Sequence, residues 1–557
     1  MMIKKWFKSG DPWIWLNAAA VSASLIIVLG LLALIAVKGL SHFWPKSVMQ
    51  AHYTQATASV TQPASIRIIG EVHNDEEVSI DRLKSIGVNL KTNNLSATRL
   101  LIKTGNRDIS GSDFKWILQP YLKDKQYPED IIVLERREWG NFYGYLKSVK
   151  SDGNTVALTD TAWQELESRL ERAELIYKQI RKIEKGDIGS INYKMEDIRL
   201  SKRRLELNKE DTKENLDKLE LNRQQLEKEY AVLEKDLAKL YSQIKRDSIT
   251  AETMSGQIIE IPLAKIVRAY QPNALNFFQK VGLYFQKIWE FVADDPREAN
   301  TEGGIFPAIF GTVMMVLLMS VLVTPFGVIA AVYLREYARQ GTVTRIIRIA
   351  VNNLAGVPSI VYGVFGLGFF VYFLGGNLDQ LFYPEALPSP TFGTPGILWS
   401  SLTLAILTVP VVIVATEEGL SRIPRSIREG SLALGATKAE TLWRTVLPMA
   451  TPSMMTGMIL AIARAAGEVA PLMLVGVVKL APSLPLDANM PFFHLERKFM
   501  HLGFHIYDVG FQSPNVEAAR PLVYATALLL IAVIVLLNLS AIYIRNRLRE
   551  QYRGLES

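Results

Sequence analysis

Six stretches of this chain are apolar for long enough to cross a membrane, and nothing else in the sequence constrains the fold as strongly. A hydrocarbon layer about 30 Å thick is spanned by roughly 20 apolar residues in a helix. Leu16–Val37, Phe306–Val332, Ile349–Leu374, Ile397–Thr416, Pro452–Val478 and Leu522–Ile544 meet that length. The first follows Lys4, Lys5 and Lys8 as a signal peptide would. It is too long for such a core and has no small-x-small cleavage site before Lys38, so it reads as an uncleaved anchor.

The loops give the topology. Lys4, Lys5 and Lys8 precede span one, and Arg335, Arg339, Arg345 and Arg348 join spans two and three. Arg422, Arg425, Arg428, Lys438 and Arg444 join spans four and five, and Arg545, Arg547, Arg549 and Arg553 follow span six. Gly375–Gly396, between spans three and four, has no Lys or Arg. Every second loop is basic, as expected when both termini are cytoplasmic. The net charge of +7 therefore records membrane topology rather than a nucleic-acid surface. With no Cys, the chain has neither disulfides nor thiolate chemistry.

This topology puts the long segment between spans one and two outside the cytoplasm. The expected division is a cytoplasmic N-terminus (1–15), span one (16–37), a periplasmic β-rich module (38–160), a periplasmic coiled coil (161–247) and a periplasmic connector (248–304). A membrane core (305–549), with a cytoplasmic loop at 419–448, and a tail (550–557) follow. Short alternating runs such as Ser65–Ile69 and Ile131–Leu134 suggest strands. Leu216, Leu219, Arg223, Leu226, Tyr230, Leu233, Leu237, Leu240 and Ile244 are spaced as a coiled-coil seam. Gly186–Ser190 offers a place to reverse into a helical hairpin. Such an arm fits a docking element or a solvated spacer, and periodicity does not choose between them.

Several polar residues fall in or near the spans. Arg464 and Glu468, four apart in span five, are candidates to line a path or to form a structural bridge. Arg464 is the one Arg or Lys in the apolar body of the last three spans as drawn above. Asn352 and Asn353, beside Gly356 and Pro358, are candidate path residues in the third span. Glu417 and Glu418 read as solvated charge at the end of span four. His494, His501 and His505 are interleaved with Phe492, Phe493, Phe499, Met500 and Phe504. They suggest an interfacial or docking helix more than a metal site, so no metal is expected.

Glu429–Pro448, EGSLALGATKAETLWRTVLP, resembles the EAA loop of ABC-importer permeases, E-A-A, three residues, Gly, nine residues, I-x-L-P. Glu429, Gly435, Leu447 and Pro448 match the pattern, while Gly430, Ser431 and Thr445 depart from it. Pro448 is expected to open the next helix. Gly303–Leu318, Leu354–Gly368 and Ala463–Gly476 are similar to phosphate permeases, and Gly467–Leu472 resembles the PstA form rather than the PstC form.

The resemblance implies an all-α polytopic membrane protein with six transmembrane helices of the ABC-importer permease type in the bacterial inner membrane. The β-rich module and coiled-coil hairpin are an extracytoplasmic insert without counterpart in the short family form. It implies a PstC-like permease partner, a PstB-like ATPase dimer contacted through Glu429, Gly435, Leu447 and Pro448, and a PstS-like periplasmic phosphate-binding protein. A link to PhoU and a phosphate-sensing kinase is implied too. The sequence has no G-x-x-x-x-G-K-[ST], so the chain is expected to be no enzyme and to hold no cofactor, ATP being bound by the partner. The other readings are a PstC-like or other oxyanion permease, and a membrane sensor or scaffold with a periplasmic coiled coil.

Overall fold

The computed structural model describes residues 9–54, 65–85, 95–297, 300–513 and 516–552. Lys4, Lys5, Lys8 and Arg553 lie outside them. The chain forms two compact units, one of residues 43–304 with 384–386, the other of the remainder.

The 43–304 unit is built on two antiparallel sheets. The first runs β4-β3-β2-β1-β5, with β1 Val48–Thr54, β2 Ser65–Ser79, β3 Ser96–Lys103, β4 Phe114–Leu118 and β5 Leu122–Gln126. The second runs β10-β9-β7-β6-β11, with β6 Ile131–Arg136, β7 Phe142–Ser151, β8 Asn154–Leu158, β9 Asp247–Glu252, β10 Ile258–Pro262 and β11 Ile266–Tyr270; β8 also pairs with β7. Asp152 and Gly153, both at positive φ, make the tight β7–β8 turn that Asp-Gly favours.

Alternation along β6 faces both ways. Ile132 and Leu134 join Phe142, Val149, Ile249 and Ile261 under the helix α1 (Thr159–Arg181), which contributes Ala162, Leu166, Ala173 and Ile176. Ile131, Val133 and Tyr143 point the other way, onto Val48 and Ile69 of the first sheet.

β9 to β11 lie in 247–270, so the division into a β module ending at 160 and a connector from 248 does not follow the sheets. The pairing of β7 with β9 crosses the whole helical excursion, from Tyr145↔Glu252 to Ser151↔Asp247. No local pattern announces such a pairing.

The excursion leaves through α1, continues through a π turn at Lys182–Ile188 into α2 (Gly189–Asn208), and returns through α3 (Lys213–Ile244). The expected reversal at Gly186–Ser190 is not there. Glycine weakens a helix by about 1 kcal/mol but does not end it, and the chain passes Gly186 within the π turn, still helical. The chain reverses at 209–212 instead, where Lys209 adopts φ 59° and the Thr212 side chain caps α3 by accepting from the Asn215 N–H at 3.4 Å. Along α3, Leu226 and Ile244 are buried, whereas Arg223 turns outward to Glu227 at 2.9 Å. A last helix, α4 (Phe277–Ala293), opens with a capping box between Asn276 and Gln279.

Among the described residues the other unit has six helices long and apolar enough to cross a membrane: Asp11–Ser41, Phe306–Tyr337, Ser359–Phe382, Ile397–Arg422, Lys438–Gly467 and Ala519–Glu550, spans one to six. Its core gathers Met315, Met319 and Val323 of span two, Leu404, Ala405 and Val412 of span four, and Ala461, Ile462 and Ala465 of span five.

Four of the spans are the expected ones extended by a few residues at one or both ends, and two differ by more than that. Ile349–Leu374 is not one helix. Its first residues end a separate amphipathic helix, α5 (Thr342–Leu354), and span three begins at Ser359. Pro358 lacks an N–H and disfavours helix in the residue before it, so the chain breaks there. The expected span Pro452–Val478 starts earlier and stops earlier, its helix ending at Gly467 before a short turn of helix at Leu472–Val475.

Candidate coupling turn and transmembrane ion pair

The loop between spans four and five is a small folded element. Helix α6 (Arg425–Ala433) ends at Leu434, and Gly435 follows at φ +89°. The Gly435 N–H donates to the Leu432 carbonyl at 3.0 Å, and the Ala436 N–H to that of Ser431 at 3.3 Å. A Cβ at 435 would meet no atom within 4 Å, so backbone conformation, not space, requires glycine. Thr437 then caps the next turn of helix reciprocally with Glu440.

Arg428 fastens the element to the spans. Its guanidinium donates to the carbonyls of Leu420 and Ile423, both at 2.7 Å, and pairs with Glu336 at 3.0 Å. Leu447 is buried with Leu420, Ile423, Leu442 and Val446 at the base of the loop. Glu429 on α6 is exposed, Leu434 at the turn is 91% exposed, and Trp443, between the buried Leu442 and Val446, is 72% exposed. The matched positions thus divide into Glu429 and Gly435 on an outward turn and Leu447 and Pro448 at its root. Pro448 is the second residue of the α-helix Leu447–Gly467, in the first turn as expected, and the span reaches back from there through a π turn at Leu442–Val446 to Lys438.

Arg464 and Glu468 meet, though not on one helical face. Span five ends at Gly467, and Glu468 is already extended, at ψ 134°. Its carboxylate still reaches back to Arg464, with Oε1 3.6 Å from Nε. Both side chains are only partly covered, 33% and 20% exposed, so the pair is accessible rather than sealed in the core. Just beyond it, the Pro471 Cα lies 2.7 Å from where a Cβ on Gly363 would stand, so span three crosses this end of span five backbone to backbone.

Asn352 and Asn353 are exposed at the end of α5, outside span three, because the break at Pro358 comes after them. Glu417 is not free surface charge. It accepts from Arg348 of α5 at 3.0 Å, a pairing across 69 positions that left no local signal. The histidines are buried, and the segment around them is not an amphipathic surface helix. Phe499 and Met500 are buried, and the Leu502 N–H donates to Thr312 of span two at 2.9 Å. His494 sits between Asp487 and Glu496, both at 3.1 Å; His505 faces Thr526 at 3.3 Å. Burial pushes His501 down to about 4. Among the described residues no three His, Cys, Asp or Glu gather to hold a metal ion.

Residues 323–550, which contain the turn and the ion pair, match the family described as binding-protein-dependent transport system inner membrane component. Over 244 residues the chain is 36% identical to the phosphate transport system permease protein PstA 1 of Mycobacterium tuberculosis, covering 44% of this chain and 71% of that protein. The chain belongs to the PstA-type permease family. Among other PstA-type relatives, the phosphate transport system permease protein PstA of Yersinia pestis is 34% identical over 183 residues, 33% of this chain and 56% of that one. The probable ABC transporter permease protein YqgI of Bacillus subtilis is 30% identical over 261 residues, 46% of this chain and 82% of that one. The family match begins inside span two, so residues 43–304 lie wholly outside it.

Proposed function

We propose that this chain is the transmembrane subunit of an ATP-driven phosphate importer in the bacterial inner membrane. In this reading it forms the path with a PstC-like partner, receives phosphate from a PstS-like binding protein and couples to a PstB-like ATPase dimer that binds the ATP. PhoU and a phosphate-sensing kinase are further partners on this reading. Both termini are cytoplasmic, and residues 38–304 are periplasmic.

The observation that carries the reading is the glycine turn at 435, in a chain whose relatives are named as phosphate permeases. Leu434 offers an apolar knob to a groove on another protein. Arg428 and Leu447 tie that knob to the ends of spans two, four and five, so movement imposed on it reaches the spans as a unit. At the far end of span five, Arg464 offers guanidinium donors to an anion that must not be held permanently. Glu468 competes for the same guanidinium and so favours release.

Phosphate uptake separates a path role for this pair from a structural bridge. In membranes carrying equal amounts of the complex, Arg464→Gln and Glu468→Gln should each cut labelled phosphate uptake at least about tenfold, a change of about 1.4 kcal/mol in the barrier. The double variant should stay inactive. Recovery of uptake in the double variant would mean that the pair serves only to cancel two poorly solvated charges.

A further inference from the structure

A helix on the surface of a folded unit ordinarily turns its apolar stripe inward and its charges to water. Helix α4 buries Phe291 but also turns charge inward and leaves a second apolar stripe outside. Lys287 pairs inward with Glu135 of β6 at 2.8 Å, and Glu290 with Arg268 of β11. Lys287 also donates to the Tyr270 hydroxyl at 3.1 Å. On the opposite face Phe278, Phe285 and Trp289 follow one another at helical spacing, 83%, 64% and 70% exposed, with Gly282 between them. Three large aromatic side chains in one stripe are costly to leave in water, each worth about 1.5–3 kcal/mol when buried, and a patch of that kind marks a contact surface.

Covalent geometry brings this helix to a membrane. Trp44 is three residues past Ser41, where span one ends, and so stands within about 11 Å of it along the chain. Its ring packs on α4, 5.7 Å from Tyr284 and 6.3 Å from Phe277, and Phe43 packs on Phe291 at 5.0 Å. At its other end, α4 stops at Ala293, 13 positions before span two begins at Phe306. Both ends of the helix are thus leashed to span ends that leave the bilayer on one side. Aromatic residues favour the headgroup level, where an apolar body and a polar edge are both satisfied.

We propose that α4 is an in-plane membrane helix whose aromatic face, Phe278, Phe285 and Trp289, lies among the lipid headgroups and upper acyl chains of the leaflet from which spans one and two emerge. The ion pairs on its inner face then fasten the 43–304 unit to the bilayer surface through a helix gripped on both sides. The proposal is independent of the anion carried.

Because the chain has no cysteine, a single spin label can be placed on it before the complex is assembled, with no competing thiol of its own. Phe278→Cys, Phe285→Cys and Trp289→Cys would each carry a nitroxide in the full complex in lipid nanodiscs, alongside Gln279→Cys and Gln286→Cys on the flanking polar face. Collision rates with oxygen, which concentrates in lipid, and with a water-soluble nickel chelate give the answer. Labels at 278, 285 and 289 should collide with oxygen several-fold more, and with nickel several-fold less, than those at 279 and 286. High nickel collision at all five would show a face in water, and protection from both reagents would show a face covered by protein. Either result overturns the proposal. Each labelled position is on an exposed surface, so substitution leaves the packed interior of the unit untouched, and only Gln279→Cys gives up a contact described above, its half of the capping box with Asn276.

Discussion

The membrane unit and the 43–304 unit hold their elements together by opposite means. Between spans two, four and five the contacts depend on missing side chains. A Cβ on Gly327 would stand 2.6 Å from the Val412 side chain, one on Gly457 2.5 Å from the Ala415 Cβ, and one on Gly419 2.6 Å from the Ser453 Cβ. In the other unit the joints carry charge. Buried Asp247 gathers Arg169 at 2.7 Å, Arg172 at 2.8 Å and Arg246 at 2.9 Å, tying α1 to the start of β9, while Arg136 holds Asp108 at 2.9 Å. The contrast follows from solvent. Lipid tails are as apolar as leucine, so helices within them gain little by hiding apolar surface and gain most by fitting closely. In water, apolar burial drives the collapse, and ion pairs then fix which surfaces meet.

The largest expected effect is on the closest of those glycine contacts. Gly457→Leu should force spans four and five apart, costing about 3 kcal/mol, at the top of the range for an overpacked core. It should lower the thermal midpoint of the detergent-purified protein, with Gly457→Ala in between; an unchanged midpoint would show that the helices do not need this approach. Of similar size is the effect of Asp247→Asn. It leaves three guanidinium groups facing one another without their anion, and should destabilise the 43–304 unit by about 3 kcal/mol. Chemical unfolding followed at α1 measures this, while the glycine-packed spans should be untouched.

The smallest effect is one of pH. Burial by itself would raise the carboxyl of Glu135, but the Lys287 ammonium and the Arg268 guanidinium outweigh it and hold the group at about 2, below its ordinary 4.5. A carboxyl with a depressed folded value contributes its full stability above the unfolded value and loses it as the pH falls toward the folded one. The grip on α4 should therefore be constant above about pH 5 and weaker by about 2 kcal/mol at pH 3. A label at Gln286→Cys, read during guanidinium unfolding at the two pH values, tests this. No difference would mean that the charge pairing contributes nothing to the joint.

What was legible in the sequence follows the range of the interactions involved. Six membrane helices could be read because a run of about 20 apolar residues is a local property, and the glycine turn because its spacing is local too. Span three was misdrawn because hydropathy continues through Pro358 although the backbone cannot. The arm's reversal was misplaced because glycines invite a turn, whereas a Thr212 cap and a left-handed Lys209 supply one. The ion pair of Arg464 with Glu468 was legible as a spacing of four, yet it forms by a carboxylate reaching back past a helix end. Arg348 with Glu417, β7 with β9 and the charged inner face of α4 all depend on partners distant in sequence.

The pairing of β7 with β9 also has a consequence in time. β7 is complete at Ser151, but the strand that covers its free side begins only at Asp247. At about 5–20 residues per second, a nascent chain passes several seconds between the two. Throughout that interval β7 offers an unpaired row of backbone donors and acceptors, the kind of edge on which chains aggregate. The arm between them is helical and closes largely through near neighbours, so it can fold while the edge waits. A chain that stalls within the arm would be left with half a sheet, sticky and unable to close.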